Sequence, residues 1–166
     1  MIIEYAAIIE HKILGDIHIK WTDEPLFVSA INIDEAFSHA EYVHCRFAEV
    51  RFPQLCRFLR FFAEKDIDFP LQCLNFSQTA SFYREVYYKL SYIKCGHTVT
   101  YGELAAMAGS PKACRAVGNA MNKNKFLLAV PCHRVVGKGY LGNFAKGMEL
   151  KKKLLRLEGR LDLTEQ

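Results

Sequence analysis

Period-two alternation marks the first third of the chain. Ile17, Ile19 and Trp21 share one face of a run, and in the next run Phe27, Ser29 and Ile31 oppose Val28, Ala30 and Asn32. Leu14-Gly15-Asp16 and Thr22-Asp23-Glu24-Pro25 separate the runs, so the pattern predicts antiparallel strands joined by tight turns. Residues 32–47 are less periodic and polar enough for a connection or a short helix. From Pro53 the spacing turns helical, with Leu55, Phe58, Leu59, Phe62 and Ala63 on one stripe and Pro53 suited to a first turn. Phe69–Leu74 reads as a return to strand. A further helix is predicted from Ser81 to Ile93, with Phe82, Val86, Leu90 and Ile93 as its apolar stripe and Gly96 as its stop.

The elements then shorten. Thr100 caps a compact helix over Tyr101–Ala108, Gly109-Ser110-Pro111 breaks it, and Pro111 opens a second helix running to Asn122. Two short helices around such a turn fit a helix-turn-helix, and equally fit a packed helical core. Ala113, Ala116, Gly118 and Ala120 leave the second helix nearly bare around Arg115, which suits close approach of a partner backbone or plain helix packing.

Charge divides the chain. Residues 99–160 hold 12 Lys and Arg against Glu103, Glu149 and Glu158, a net +9, whereas the remainder carries 10 basic and 15 acidic residues, a net −5. A polyanion-binding lobe produces this asymmetry, and so does a solvated face such as Lys151-Lys152-Lys153. With 51% hydrophobic and 24% charged residues the composition is globular, no apolar run approaches the roughly 18 residues of a membrane span, and the acidic start is unlike a signal peptide. These features point to a cytoplasmic protein, or a nuclear one in a eukaryote. The six cysteines lie at wide spacings without a Cys-x-x-Cys pair and read as reduced thiols. A zinc site from His11, His39, His44 and Cys45 uses the right ligand types, but its spacing matches no metal motif, so no metal is expected.

The chemistry concentrates at Leu127–Val136, an apolar run interrupted by Pro131-Cys132-His133-Arg134. Proline cannot donate to a sheet ladder, so Pro131 should end a buried strand and turn Cys132 toward a cavity. A free thiol titrates near ~8.5, and a nucleophilic Cys132 would need an imidazole or a cationic surround. Neighbours on extended backbone face opposite ways, so His133 would act on Cys132 through a bridging water, with Glu158 as the acceptor that orients the imidazole. A buried inert cysteine remains the alternative.

Pro131–Val136, Gly139-Tyr140-Leu141-Gly142-Asn143-Phe144 and Leu154–Gly159 resemble the signature of the O6-alkylguanine-DNA alkyltransferases, the methylated-DNA–protein-cysteine methyltransferases. Thr100–Ala105 and Ala113–Gly118 extend the resemblance upstream, so that it spans residues 80–160 almost continuously. It implies an α+β fold: a small N-terminal antiparallel sheet lobe of ribonuclease-H-like outline over residues 1–75, and a helical lobe with a helix-turn-helix over 76–166. It also implies stoichiometric DNA repair without a cofactor, in which Cys132 takes the alkyl group from O6 of guanine, and from O4 of thymine. His133 would serve as base and Glu158 would orient it, Asn124 would brace the thiol, and Tyr101 would donate to N3 of the departing guanine. Arg115 would fill the gap left by a flipped nucleotide. Ala113, Ala116 and Gly118 would admit the minor groove, and Ser110, Lys112 and Lys138 would hold phosphates.

The expected partner is double-stranded DNA carrying O6-alkylguanine, engaged by a monomer away from membranes. Departures from the family pattern fall at Asn124-Lys125-Phe126-Leu127, which lacks the family's two prolines, and at Phe144-Ala145; both bear on alkyl-group preference. Two other readings compete. One is a non-catalytic module that binds alkylated DNA or regulates transcription, from which an intact Cys132 separates it. The other is a Cys-His hydrolase, for which no oxyanion-hole motif is legible.

Overall fold

The computed structural model describes residues 3–23, 25–38, 40–43, 45–63, 71–160 and 162. The chain divides into two compact units. The first comprises residues 1–78 together with Lys125–Ala129, and the second comprises Thr79–Asn124 and the residues from Val130 onward.

The first unit is built on a sheet of order β3-β2-β1-β4, with strands β1 (Glu4–His11), β2 (Gly15–Asp23), β3 (Leu26–Ile33) and the short β4 (Glu41–Tyr42). β1, β2 and β3 are antiparallel neighbours, and β4 adds in parallel to β1. Ile17, Ile19 and Trp21 are fully buried, as their alternation requires. Alternation fails in β3 because of its pairing with β2. Lys20 pairs with Ala30 but Trp21 pairs with Val28, so Ser29 is an extra residue, and Val28 and Ile31 both turn inward. The first turn is held by His11, whose Nδ1 accepts the amides of Ile13 and Leu14 at 3.1 and 3.0 Å while Nε2 lies 3.3 Å from the Phe62 carbonyl. Both ring nitrogens are thus engaged within the fold rather than offered to zinc; His39 and His44 lie outside the described residues.

Helices α1 (Cys45–Arg51) and α2 (Pro53–Arg60) follow, with Pro53 in the first turn of α2 and Leu55, Cys56 and Leu59 buried. Over Leu71–Leu74, the described part of the strand expected at Phe69–Leu74, no strand is present. Leu71–Cys73 is a single 3-10 turn, only Leu74 bridges to Val28, and Phe69 and Pro70 lie outside the described residues. Lys125–Ala129 joins this unit through β3, where Ile31 N–H donates to Lys125 O at 2.8 Å and Leu127 N–H to Ile31 O at 3.2 Å. A proline at position 127 could not make the second bond.

The second unit packs α3 (Ser81–Ser91), α4 (Tyr101–Met107), α5 (Cys114–Asn122) and α6 (Met148–Leu157) about a two-stranded parallel sheet, β5 (Val99–Thr100) with β6 (Val135–Val136). Val86, Leu90, Leu104, Val117, Leu154 and Leu155 supply much of its core. Thr100 and Glu103 form a reciprocal cap: Glu103 N–H donates to Thr100 Oγ1 at 3.2 Å and Thr100 N–H to Glu103 Oε2 at 2.8 Å. Such a cap stabilises a seven-residue helix by about 1 kcal/mol and fixes where Tyr101 begins it. Helix α5 starts at Cys114, three residues later than its proline suggested, because Ala113 N–H closes a turn onto Ser110 O at 2.9 Å. α4 and α5 pack together across that turn, in the order of a helix-turn-helix.

Candidate active site

No strand precedes Pro131. Leu127–Ala129 form a turn with Leu128 at φ 69°, and Pro131 leads into a 3-10 turn, Cys132–Arg134, which continues directly into β6. Leu128, Val130 and Val135 are each buried, so the apolar run is core without being a ladder strand. The parallel pairs Val99–Val135 and Thr100–Val136 bring the start of α4, and with it Tyr101, beside the segment that carries Cys132.

Cys132 is 6% exposed. Asn124, just past α5, donates from Nδ2 to Val130 O at 2.9 Å and to Cys132 Sγ at 3.1 Å, so one amide braces both the turn and the sulfur. Burial raises the thiol above its ordinary value, against the opposing pull of Asn124 and the Lys151 cation, and a protonated resting thiol results. Burial also raises Cys56 and Cys73, each to about 12, which makes neither a rival nucleophile.

His133 is fully buried, and its Nε2 lies 2.8 Å from Glu158 Oε1. Because the backbone here is a 3-10 turn rather than extended, the opposite-face expectation for Cys132 and His133 does not apply. Burial lowers the imidazole below its ordinary value and the Glu158 contact only partly restores it, so the ring rests neutral. Glu158 sits at the C-terminal cap of α6 with a fully buried side chain. Burial alone would raise its carboxyl, but hydrogen bonds from His133 and Arg134 hold it at about 2. Glu158 is therefore a carboxylate that accepts the Nε2 proton, leaving Nδ1 as the basic nitrogen.

Tyr101 donates its hydroxyl to Asn143 O at 3.2 Å. The ring lies against Gly142, at φ 73°, where an added Cβ would fall 2.9 Å from Tyr101 Cε2. The glycine is required there both for its backbone conformation and for the space the ring occupies.

Of the residues expected to meet a polyanion, Arg115, Lys112 and Lys138 are exposed, while Ser110, Ala113, Ala116 and Gly118 are partly covered. Ser110, Pro111, Lys112 and Ala113 line an open depression at the turn. Ala120 departs from the bare face: it is fully buried and its carbonyl accepts the Tyr87 hydroxyl at 2.7 Å.

Lys151 overturns the solvated-face reading of the Lys151-Lys152-Lys153 run. It is fully buried, and its Nζ donates to Val135 O and Leu141 O at 2.6 Å each. Its signal was the spacing Lys151, Leu154, Leu155, Glu158, which places it on the inward stripe of α6. Arg134 was also missed as a site residue.

A buried cysteine braced by an amide, next in sequence to a neutral imidazole oriented by a buried carboxylate, is thus set in one unit with two helices in helix-turn-helix order. Residues 81–160 match the model of the 6-O-methylguanine DNA methyltransferase, DNA binding domain. Methylated-DNA–protein-cysteine methyltransferase from Metallosphaera sedula is 48% identical over 83 residues, covering 50% of this chain and 52% of the relative. The protein of that name from Homo sapiens is 45% identical over 96 residues, covering 55% and 46%. The chain thus spans about half the length of the curated relatives it matches.

Similarity to solved structures extends further. Mycobacterium tuberculosis OGT in complex with DNA has a TM-score of 0.69 at 26% identity over 93% of both chains. O6-methylguanine-DNA methyltransferase from Pyrococcus kodakaraensis has a TM-score of 0.60 at 26% identity over 93% of this chain and 99% of that one. The α+β fold, N-terminal sheet included, is therefore that of alkyltransferase structures. No helix among the described residues is long and apolar enough to cross a membrane.

Proposed function

We propose that this chain repairs double-stranded DNA by moving a methyl or other alkyl group from O6 of guanine, and from O4 of thymine, onto Cys132, once per molecule. The observation that carries this reading is the brace of Asn124 Nδ2 on Cys132 Sγ at 3.1 Å together with the His133–Glu158 pair at 2.8 Å, within the segment that matches the methyltransferase family model. Because the thiol and the imidazole both rest neutral, the nucleophile is generated only as the reaction begins. The thiol proton passes through a water to His133 Nδ1, and Glu158 stabilises the imidazolium that forms. Sulfur then bonds to the alkyl carbon as the carbon–O6 bond breaks, and its electrons leave on guanine.

Tyr101 turns its hydroxyl from Asn143 O to N3 of the base and gives up its proton, which the imidazolium proton ultimately replaces. The net exchange is the thiol hydrogen for the alkyl group. A thioether has no good leaving group, so the chain is spent after one transfer. Ser110, Lys112 and Lys138 hold phosphates, and Arg115 enters the stack from a helix face kept low by Ala113, Ala116 and Gly118. The protein works as a monomer without a metal or cofactor, in the cytoplasm or the nucleus, wherever the genome lies.

The test is the intact mass of the protein after mixing with an oligonucleotide holding a single O6-methylguanine. One methyl in place of hydrogen at Cys132, and none in Cys132→Ser that still binds the oligonucleotide, is the expected result. Methylation of another cysteine, or binding without any mass change in the unaltered chain, overturns the reading; the latter outcome would mark a binding module.

A further inference from the structure

Resting on the transfer proposed above, we infer that Arg134 is a positioning residue for the reaction, acting through Glu158 to fix which nitrogen of His133 carries the proton. The two Glu158 oxygens are shared between an imidazole and a guanidinium. Oε1 lies 2.8 Å from His133 Nε2 and accepts Arg134 Nη2 at 2.7 Å, while Arg134 Nε reaches Oε1 and Oε2 at 3.1 and 3.0 Å. The guanidinium is itself fixed from the far side, because Nη1 donates to the carbonyl of Ile93, just past α3, at 2.6 Å. Gly96 N–H adds a bond to Oε2 at 3.3 Å.

The remaining titratable or charged groups in this neighbourhood, among the described residues, are few. Cys95 lies in the turn after α3 within electrostatic reach of Glu158, and Lys151 on α6 acts on His133. Arg160 bonds to Gly96 O at 3.4 Å but is paired with Asp162. Arg134 is the cation in contact with the carboxylate.

Without that partner the buried carboxyl moves up toward protonation, because burial raises it and only the His133 and Gly96 bonds remain in opposition. A protonated Glu158 would donate to Nε2 and drive the imidazole proton onto Nδ1, the tautomer that cannot accept from a thiol. With Arg134 in place Glu158 stays an acceptor, Nε2 stays protonated and Nδ1 keeps its lone pair. Lysine cannot substitute, since the geometry uses two N–H groups of the guanidinium fork on the carboxylate and a third on Ile93 O.

Two measurements test this. The first is the nitrogen NMR spectrum of the His133 ring without DNA: Nε2–H is expected in the unaltered chain, and a shift toward Nδ1–H in Arg134→Gln and Arg134→Lys. The second is the transfer rate across about pH 5 to 9 on an oligonucleotide with one O6-methylguanine. Arg134→Gln should move the acid limb up by about one pH unit or more, roughly a tenfold loss on that limb. Added to Glu158→Gln, the same change should cost less than about twofold, because no carboxylate remains to be held.

An unchanged tautomer in both Arg134 variants, a loss equal at every pH, or a full additive loss in the Glu158→Gln background would overturn the inference. Should Arg134→Gln fail to fold, Arg134→Lys keeps a charge without the fork and must show the same tautomer shift. Failure of the unaltered chain to take up methyl would sink the transfer reading instead, and the tautomer measurement would stand apart from it.

Discussion

The ammonium of Lys151 donates to the carbonyl of Leu141 at 2.6 Å and, at the same distance, to that of Val135. One fully buried cation thereby ties β6, which follows the Cys132 turn, to the loop whose Asn143 carbonyl receives the Tyr101 hydroxyl. Burial pushes the ammonium down to about 8, against the small opposing pull of Cys132.

The sign of the linkage follows. Between about 8 and the ordinary value of 10.5 the unfolded chain binds more protons than the folded one, so this group's contribution to stability rises with pH across that window and is least below it. Lys151→Met should erase that slope. At neutral pH it should also lower stability by about 2–6 kcal/mol, because two buried carbonyls lose their donor at about 1–3 kcal/mol each. Urea unfolding of both proteins near pH 7.5 and 9.5 checks this. A methionine variant as stable as the parent at the lower pH, with the slope intact, would contradict it.

Legibility followed the physical origin of each feature. Strands β2 and β3 and helices α2, α3 and α4 declare themselves through alternation, apolar stripes and caps, which are local, whereas β1, with Ala6 and Ala7 both buried, carries no such alternation. The inward turn of both Val28 and Ile31 was not legible, because the bulge at Ser29 depends on pairing with β2 rather than on the residues of β3. Leu127–Val130 misled because an apolar run tells of burial but not of backbone shape; Leu128 at φ 69° is a turn residue in a core position. At the site, Cys132, His133 and Glu158 stand out chemically, whereas Arg134 and Lys151 resemble ordinary surface cations until their burial against acceptors is known.

Gly118 separates the needs of the fold from those of a partner. It lies within α5 without a positive φ, and a Cβ added to it would meet nothing within 4 Å. Glycine inside a helix costs about 1 kcal/mol relative to alanine, so Gly118→Ala should stabilise the protein by roughly 0.5–1 kcal/mol. If the low face of α5 lies against a DNA backbone, the same change should weaken duplex binding several-fold. Thermal unfolding and a gel-shift titration on one preparation give both numbers. Stabilisation without weaker binding would mean that DNA does not approach α5 at Gly118.

Arg115, one turn before Gly118 and exposed, carries the sharper test of how the duplex is opened. A flipped nucleotide leaves an unstacked gap, and extruding it costs a few kcal/mol of pairing and stacking. A long cation entering that gap offsets part of the cost, a benefit that free O6-alkylguanine in solution does not need. Arg115→Ala should therefore slow transfer from duplex DNA by about 10-fold or more, equivalent to about 1.4 kcal/mol, while changing the reaction with free base less than about twofold. Loss of one phosphate-attracting charge weakens duplex binding slightly in either case, so the measurement is the ratio of the two rates at saturating DNA. Equal slowing on both substrates would assign Arg115 to the integrity of the fold or the pocket, and equal rates on both would remove it from the reaction.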